Sequence, residues 1–387
     1  MKKKIALISD SRCSHSLYVP VLDAVSLSSD FEYQYIITGM HLSEKFGKTV
    51  DEIKAQGYQI AHTFSVPLDG QNSKNQVKNI STFILQLTDI FSKDRPDFIL
   101  AQGDRGITLA AAIVGNHLRI PVVHLHGGEV SRTVDEPVRH AISRFAHIHL
   151  AATKKSAERL EKMGEEKSRI HVVGATGVEY IKKLKTKVDG EVLLRYNLPV
   201  QQPFIVVLQH PVSGEEGQTK IQMERILRAV ASTNLKTLLI FPNSDPGHEE
   251  IIEVINEYAK KYPLTFLSLK NIPYLEYLSI LKASSCLVGN SSGGIIETPS
   301  LGTPTINIGT RQLGRERANN IIDVDYKGEE IEKALRQALH DQEFKSRVTQ
   351  CQTPYDPYGD GNASERILKI MREIKVDNKL LTKGLAY

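Results

Sequence analysis

Short β-branched apolar runs alternate with longer stretches of helical period along almost the whole chain, a pattern that predicts βαβ units feeding parallel sheets. In the first half the expected strands are KIALIS (4–9), YQYIIT (33–38), DFILAQ (97–102), PVVHLH (121–126), IHLAAT (148–153) and RIHVVG (169–174). Helical patterns such as ITLAAAIVGNHL and SAERLEKMG separate them, so this half reads as one doubly wound domain. Residues 175–203 break the rhythm with a helix, GVEYIKKLK, a charged stretch and the proline-bearing LPVQQP. The alternation then restarts with FIVVLQ (204–209), TLLIFP (237–242), LTFLSL (264–269), SCLVGN (285–290) and PTINIG (304–309). The expected division is residues 1–180, residues 181–362, and a final helix, SERILKIMREIK, within 363–387. The apolar Ile367, Leu368, Ile370 and Met371 of that helix suggest docking back on the first domain.

In open α/β sheets ligands bind beyond the carboxyl ends of the strands, so two facing sheets predict a central cleft. The residues at those ends are unusually polar. They include Asp10, Ser11 and Arg12; Asp104 and Arg105; His126 and Glu129; Gln209 and His210; Asn243 and Asp245; Asn290, Ser291 and Ser292; and Thr310 and Arg311. Each has an ordinary structural reading, since Asp104 can cap the following helix and a lone histidine is commonly a satisfied polar group. Their recurrence at so many strand ends favours a site.

The stretch GNSSGGIIETPSLGTP (289–304) runs from a strand end into a helix. It offers backbone N–H groups, the hydroxyls of Ser291 and Ser292 and a positive helix end, all suited to a diphosphate. Glu297, one turn in, is placed to accept hydrogen bonds from a ribose diol. A serine-rich helix cap is the structural alternative. Neither a G-x-x-x-x-G-K-[ST] loop nor a G-x-G-x-x-G after the first strand is present, which weakens kinase and dehydrogenase readings.

Composition adds limits. The 387 residues exceed one typical domain, and 41% apolar with 24% charged content excludes a disordered chain. A net charge of +4 calls for no nucleic-acid partner and is compatible with a small anionic substrate. Cys13, Cys286 and Cys351 lack C-x-x-C spacing, which predicts a reducing, cytoplasmic setting without disulfides or a zinc knuckle. No apolar run approaches a membrane span, and the N-terminal run is too short for a signal peptide.

Four stretches, QGDRGITLAAA, HGGEVSRTVDEPVRHAISRFAH, VVLQHPV and GNSSGGIIETPSLGTPTINIGTRQLGR, together resemble the hydrolysing UDP-N-acetylglucosamine 2-epimerases of sialic and related nonulosonic acid synthesis. The likeness extends to FPNSDPG and YGDGNASERILKI. It implies the glycosyltransferase-B architecture, an α/β fold of two Rossmann-like domains around a central cleft, assembled as a homodimer or homotetramer and needing no metal or redox cofactor. It also implies a reaction on a nucleotide sugar: UDP-GlcNAc and water give ManNAc and UDP through 2-acetamidoglucal. Inversion at C2 needs groups on both faces, because a single base returning its proton restores the starting configuration.

By the same resemblance His210 lies near the diphosphate leaving group, while Asp104, Asp135 and Glu136 match acids of proton transfer and sugar orientation. His126, a glutamate in the animal enzyme, falls in the HLHGGE stretch and joins the catalytic set. Arg12, Arg105 and Arg311 match positions around nucleotide and sugar; Ser291, Ser292 and Glu297 match the UDP site; Asn243 and Tyr277 match the uridine pocket. Departures from the family pattern lie on the sugar side. Ser14 stands where R-A-[DE]-Y carries its acid, and Glu136, followed by Pro137, replaces the second acid of a D-D pair.

Those departures keep alternatives open. Within the family they are hydrolytic 2-epimerisation of a UDP- or GDP-linked 2,4-diacetamido-2,4,6-trideoxyhexose, for legionaminic acid synthesis, and the non-hydrolysing epimerase, whose HVEAG-type motif differs from HLHGGE. Outside it are a retaining glycosyltransferase, a metal hydrolase built on HLH and HIH, and a sugar-nucleotide sensor without turnover.

Overall fold

The computed structural model of the chain describes residues 2–68, 73–131, 133–183 and 188–387. Two compact units emerge. The first comprises Met1–Val130, Val134–Tyr180 and Tyr355–Tyr387; the second comprises Ile181–Pro354 with Ser131–Thr133. The last two residues of GVEYIKKLK lie outside the described residues, and its helix is Thr176–Lys183.

The first unit is built on seven parallel strands: β1 (Lys3–Ser9), β2 (Phe31–Thr38), β3 (His62–Phe64), β4 (Phe98–Gln102), β5 (Val122–Leu125), β6 (Ile148–Ala151) and β7 (Ile170–Val172). Their order is β3-β2-β1-β4-β5-β6-β7. Helices cover both faces, so the strands are apolar on both. Ile5 and Leu7 of β1 face one core with Val21, Leu22 and Tyr18, while Ala6 and Ile8 face the other with Phe83, Leu87 and Ile107.

The second unit repeats the plan with β8 (Phe204–Leu208), β9 (Lys236–Ile240), β10 (Phe266–Leu269), β11 (Cys286–Gly289), β12 (Thr305–Ile308) and β13 (Ile321–Val324). All pairs are parallel, in the order β10-β9-β8-β11-β12-β13. In both sheets the order reverses once, beside β1 and β4 and beside β8 and β11, and there the loops diverge to leave a crevice at the strand ends.

Two strands were not expected from the pattern. β3 is three residues long and β13 carries the charged Asp323; both are sheet edges of half-exposed residues, where the apolar run that marks a buried parallel strand is not required.

The final helix, Ala363–Glu373, packs Ile367, Leu368 and Met371 against Val21 and Leu22 of the helix Arg12–Leu27. The return to the first unit comes earlier than residue 363. Tyr355 is fully buried, its hydroxyl donates to Glu129 Oε2 at 3.1 Å, and its carbonyl accepts from Ala175 N at 2.8 Å. Glu179 then receives the backbone N–H and the hydroxyl of Ser364 at 2.6 and 2.5 Å.

The C-terminal segment is held mainly by polar contacts. Its short helix, Asn378–Leu381, buries no residue. Lys383, 7% exposed at its side chain, donates to Ser143 O at 2.9 Å, to Ala146 O at 2.7 Å and to Glu165 at 2.8 Å. It thereby occupies carbonyls at the C-terminal end of the helix Asp135–Phe145. Glu165, wholly buried, also receives Arg144 and His149 Nε2. Burial alone would raise its carboxyl, but these partners hold it down at about 2.

Because that value lies below the ordinary 4.5, the Glu165 cluster stabilises the fold above about pH 4.5 and loses its effect as pH falls towards 2. Glu165→Gln is expected to destabilise the chain by about 3 kcal/mol at pH 7, read by urea unfolding. The gap from the parent chain should narrow in the same assay at pH 3.5; a gap independent of pH would disprove this account of the cluster.

Candidate functional site

At the first crevice, β1 is followed by Asp10 and β4 by Gly103 and Asp104. The two loops are tied across the reversal by Arg105, whose Nε donates to Asp10 Oδ2 at 2.8 Å. Asp104 does not cap its helix. The cap position of Gly106–His117 is Arg105, and the Asp104 carboxylate is taken instead by Arg139 from the helix Asp135–Phe145. Arg139 is 1% exposed and also donates to Glu129 O at 3.1 Å. Sequence reasoning missed it, because one arginine on an amphipathic helix carries no signal until the helix's buried face is known.

The HLHGGE stretch forms the wall beside Asp104. His126 is buried with φ +64, left-handed backbone that non-glycine residues seldom adopt, and its N–H donates to Leu150 O at 3.0 Å. Gly128, at φ +76, lies so close to the helix Lys154–Lys162 that a Cβ would meet Ser156 O at 2.2 Å. Glu129 is buried and receives Ser156 Oγ at 2.6 Å besides Tyr355, so this acid serves the architecture.

His124 is bonded on both ring nitrogens, to Ser143 Oγ at 3.0 Å and Gly103 O at 2.8 Å, and burial lowers its pKa to about 3. A neutral His124 therefore braces the turn that presents Asp104. His149 of HIH faces Glu165. Among the described residues, no group of three or more His, Cys, Asp or Glu could hold a metal ion.

Asp135 and Glu136 form the first turn of the helix that carries Arg139, half-buried, where acidic charge also suits the helix dipole. Glu136 lies 3.8 Å from His140 one turn on. Arg12, half-buried, opens the helix Arg12–Leu27. Ser14, standing where the family pattern has an acid, works locally: its hydroxyl donates to Ser11 O at 2.9 Å and lies 2.6 Å from Ser9 Oγ.

At the second crevice the same bracing recurs in another form. The Asn290 side chain accepts from His210 N at 2.7 Å and donates to His210 O at 2.8 Å, locking the ends of β8 and β11 together. Gly289 allows the approach: at φ +134, a Cβ there would meet Leu208 O at 2.1 Å. His210 Nδ1 accepts from the Asn243 backbone N–H at 3.4 Å, which assigns the ring proton to Nε2. Asn243 thus acts on His210 through its main chain. Asn290 was legible as a strand-end residue, but not as a brace.

The serine stretch differs from its expectation. Its helical turn opens at Gly293 and carries on through Glu297, whose backbone stays in the right-handed helical region and whose N–H donates to Gly293 O at 2.9 Å. The N–H groups of Gly293, Gly294, Ile295 and Ile296 are spent on Ser291 and Ser292. The serines are half-exposed, and nearby Arg311 donates to Asn290 O at 3.2 Å. Glu297 is buried, which pushes its carboxyl up, partly countered by Tyr274, whose hydroxyl donates to Oε1 at 2.8 Å. Tyr277, half-buried, lies on the helix Tyr274–Ala283 that Tyr274 opens.

Residues 23–372 match the model of the UDP-N-acetylglucosamine 2-epimerase family. The chain belongs to that family. As a UDP-N-acetylglucosamine 2-epimerase family member it is 39% identical, over all of both chains, to a hydrolysing UDP-N,N'-diacetylbacillosamine 2-epimerase of Legionella pneumophila. It is 33% identical, over 90% of each, to a UDP-N-acetylglucosamine 2-epimerase of Neisseria meningitidis. A crystal structure of a UDP-GlcNAc 2-epimerase from Neisseria meningitidis bound to UDP-GlcNAc superposes with a TM-score of 0.81 at 18% identity, covering 96% of this chain and 100% of that one. That likeness shows the fold, two parallel-sheet α/β units of the glycosyltransferase-B type, as the sequence led us to expect.

Asn290→Ala should free both backbone groups of His210 and destabilise the second unit by about 2 kcal/mol, measured by thermal unfolding. Loss of turnover should exceed loss of UDP affinity in the same variant; equal losses would make Asn290 a support of the fold alone.

Proposed function

We propose that this family member hydrolyses a UDP-linked 2,4-diacetamido-2,4,6-trideoxyhexose of the N,N'-diacetylbacillosamine class, inverting C2 and releasing UDP. The observation that carries the reading is the full-length 39% identity to a protein of that description, against 33% over nine-tenths for one described as acting on UDP-N-acetylglucosamine. The sequence-based preference for UDP-GlcNAc and ManNAc therefore yields to its alternative. Ser14 supports the choice: a small neutral residue, bonded to Ser9 and Ser11, stands where the family pattern carries an acid.

In this reading Ser291, Ser292 and Arg311 hold the diphosphate, and Glu297, oriented by Tyr274, accepts from the ribose diol. Asn243 and Tyr277 line the uridine. His210, with its proton on Nε2, stabilises or protonates the departing diphosphate oxygen. Asp104 and the Asp135–Glu136 pair serve the faces of C2, with Arg12, Arg105 and His126 placing the sugar. The proton leaves C2, the electron pair forms the C1=C2 bond, and the C1–O bond breaks to UDP. Water then adds at C1 while a new proton reaches C2 from the opposite face.

Side-by-side kinetics decide the substrate. The kcat/KM for the UDP-diacetamido sugar should exceed that for UDP-GlcNAc by about tenfold or more, a discrimination within reach of one or two pocket contacts. The reverse order would restore the UDP-GlcNAc reading. His210→Ala should lower turnover of the preferred substrate by about 100-fold with the fold intact by circular dichroism; near-normal turnover would remove His210 from the mechanism.

A further inference from the structure

Arg139 is the largest fully buried side chain in the first unit, and its position is one-sided. Its side chain is 2% exposed, whereas that of Asp104, the carboxylate it holds, is 24% exposed. A ligand can therefore reach the acid but not the cation behind it. The guanidinium is fixed on its other side by Glu129 O, and Glu129 is itself held by Ser156 and Tyr355. The helix that supplies Arg139 is tied at its far end by Lys383.

We propose that Arg139 is a positioning residue that keeps Asp104 ionised and aimed, and so makes Asp104 the base that removes the proton from C2. The role assigned to the proton rests on the reaction proposed above; the state assigned to Asp104 does not. A guanidinium stays charged at all working pH, so its contact favours the carboxylate over the acid. Other charged or titratable groups near Asp104 are His124 from β5, Arg105 with its partner Asp10, and Glu136 and His140 on the helix of Arg139. His124 is neutral, and burial likewise lowers His140, so neither replaces the fixed charge of Arg139. In the step assigned to Asp104 the C2–H bond breaks, the proton passes to the Asp104 carboxylate, and the electron pair expels UDP from C1.

The test uses the full chain labelled with 13C-aspartate, the Asp104 carboxyl being assigned by its loss in Asp104→Asn. Its titration midpoint should rise by about one pH unit or more in Arg139→Met, with Arg139→Gln as a second neutral variant should the first fail to fold, and stay near the parent value in Arg139→Lys. An unmoved midpoint in a folded neutral variant overturns the proposal. With the preferred UDP-sugar, the acid limb of kcat/KM should move upward with that midpoint, so that kcat/KM at a pH below both midpoints falls about tenfold for each pH unit by which the midpoint rises and recovers at higher pH. A moved midpoint with an unmoved limb would overturn the base assignment. Absence of turnover in the parent chain would defeat the proposed reaction, while the titration would still decide the state of Asp104.

Discussion

A parallel sheet whose strand order reverses leaves a gap where two neighbouring loops run in opposite directions, and the polar groups stranded there need partners. Everything functional in this molecule grows from how that gap is braced. In the first unit an ion pair, Arg105 to Asp10, closes it; in the second, the Asn290 side chain pairs with both backbone groups of His210. Each brace spends one residue to hold its neighbour still. The neighbours are Asp104 and His210, to which the proposed reaction assigns proton transfer and leaving-group stabilisation.

Behind the braces lies a second layer that runs from the chain's end to its chemistry. Lys383 and Glu165 secure the last turn of the helix Asp135–Phe145, Arg139 projects from its middle onto Asp104, and Asp135 and Glu136 occupy its first turn. Tyr355 secures Glu129, whose carbonyl steadies Arg139. Burying this many charges is tolerable only because each is paired, and removal of one member leaves another exposed to the full desolvation penalty. A chain that closes its first unit with its own last residues thereby makes the acid-bearing helix depend on segments far away in sequence.

Much of this was legible in the residues alone. Strands with apolar residues on both faces were found where β-branched runs are dense, and the edge strands β3 and β13 were not, since half-exposed edges need no such run. Strand-end polarity placed Asp104, His126, His210, Asn243 and Ser291 just after parallel strands, and there the structure has them. It gave no means of seeing that Asp104 is held by Arg139, that Glu129 is structural, or that the N–H groups after Ser292 bond within their own turn, because those facts depend on which face of a helix is buried and on how a turn closes on itself. The departure at Ser14 was visible and pointed to the sugar side.

The central claim is that C2 is inverted by proton exchange in the same event that releases UDP. Proton NMR of the enzyme with the UDP-diacetamido sugar in deuterated water reads both at once. The account predicts free UDP and a free 2-epimer carrying deuterium at C2. A sugar that leaves without deuterium at C2, or a 2-epimer still joined to UDP, would contradict it.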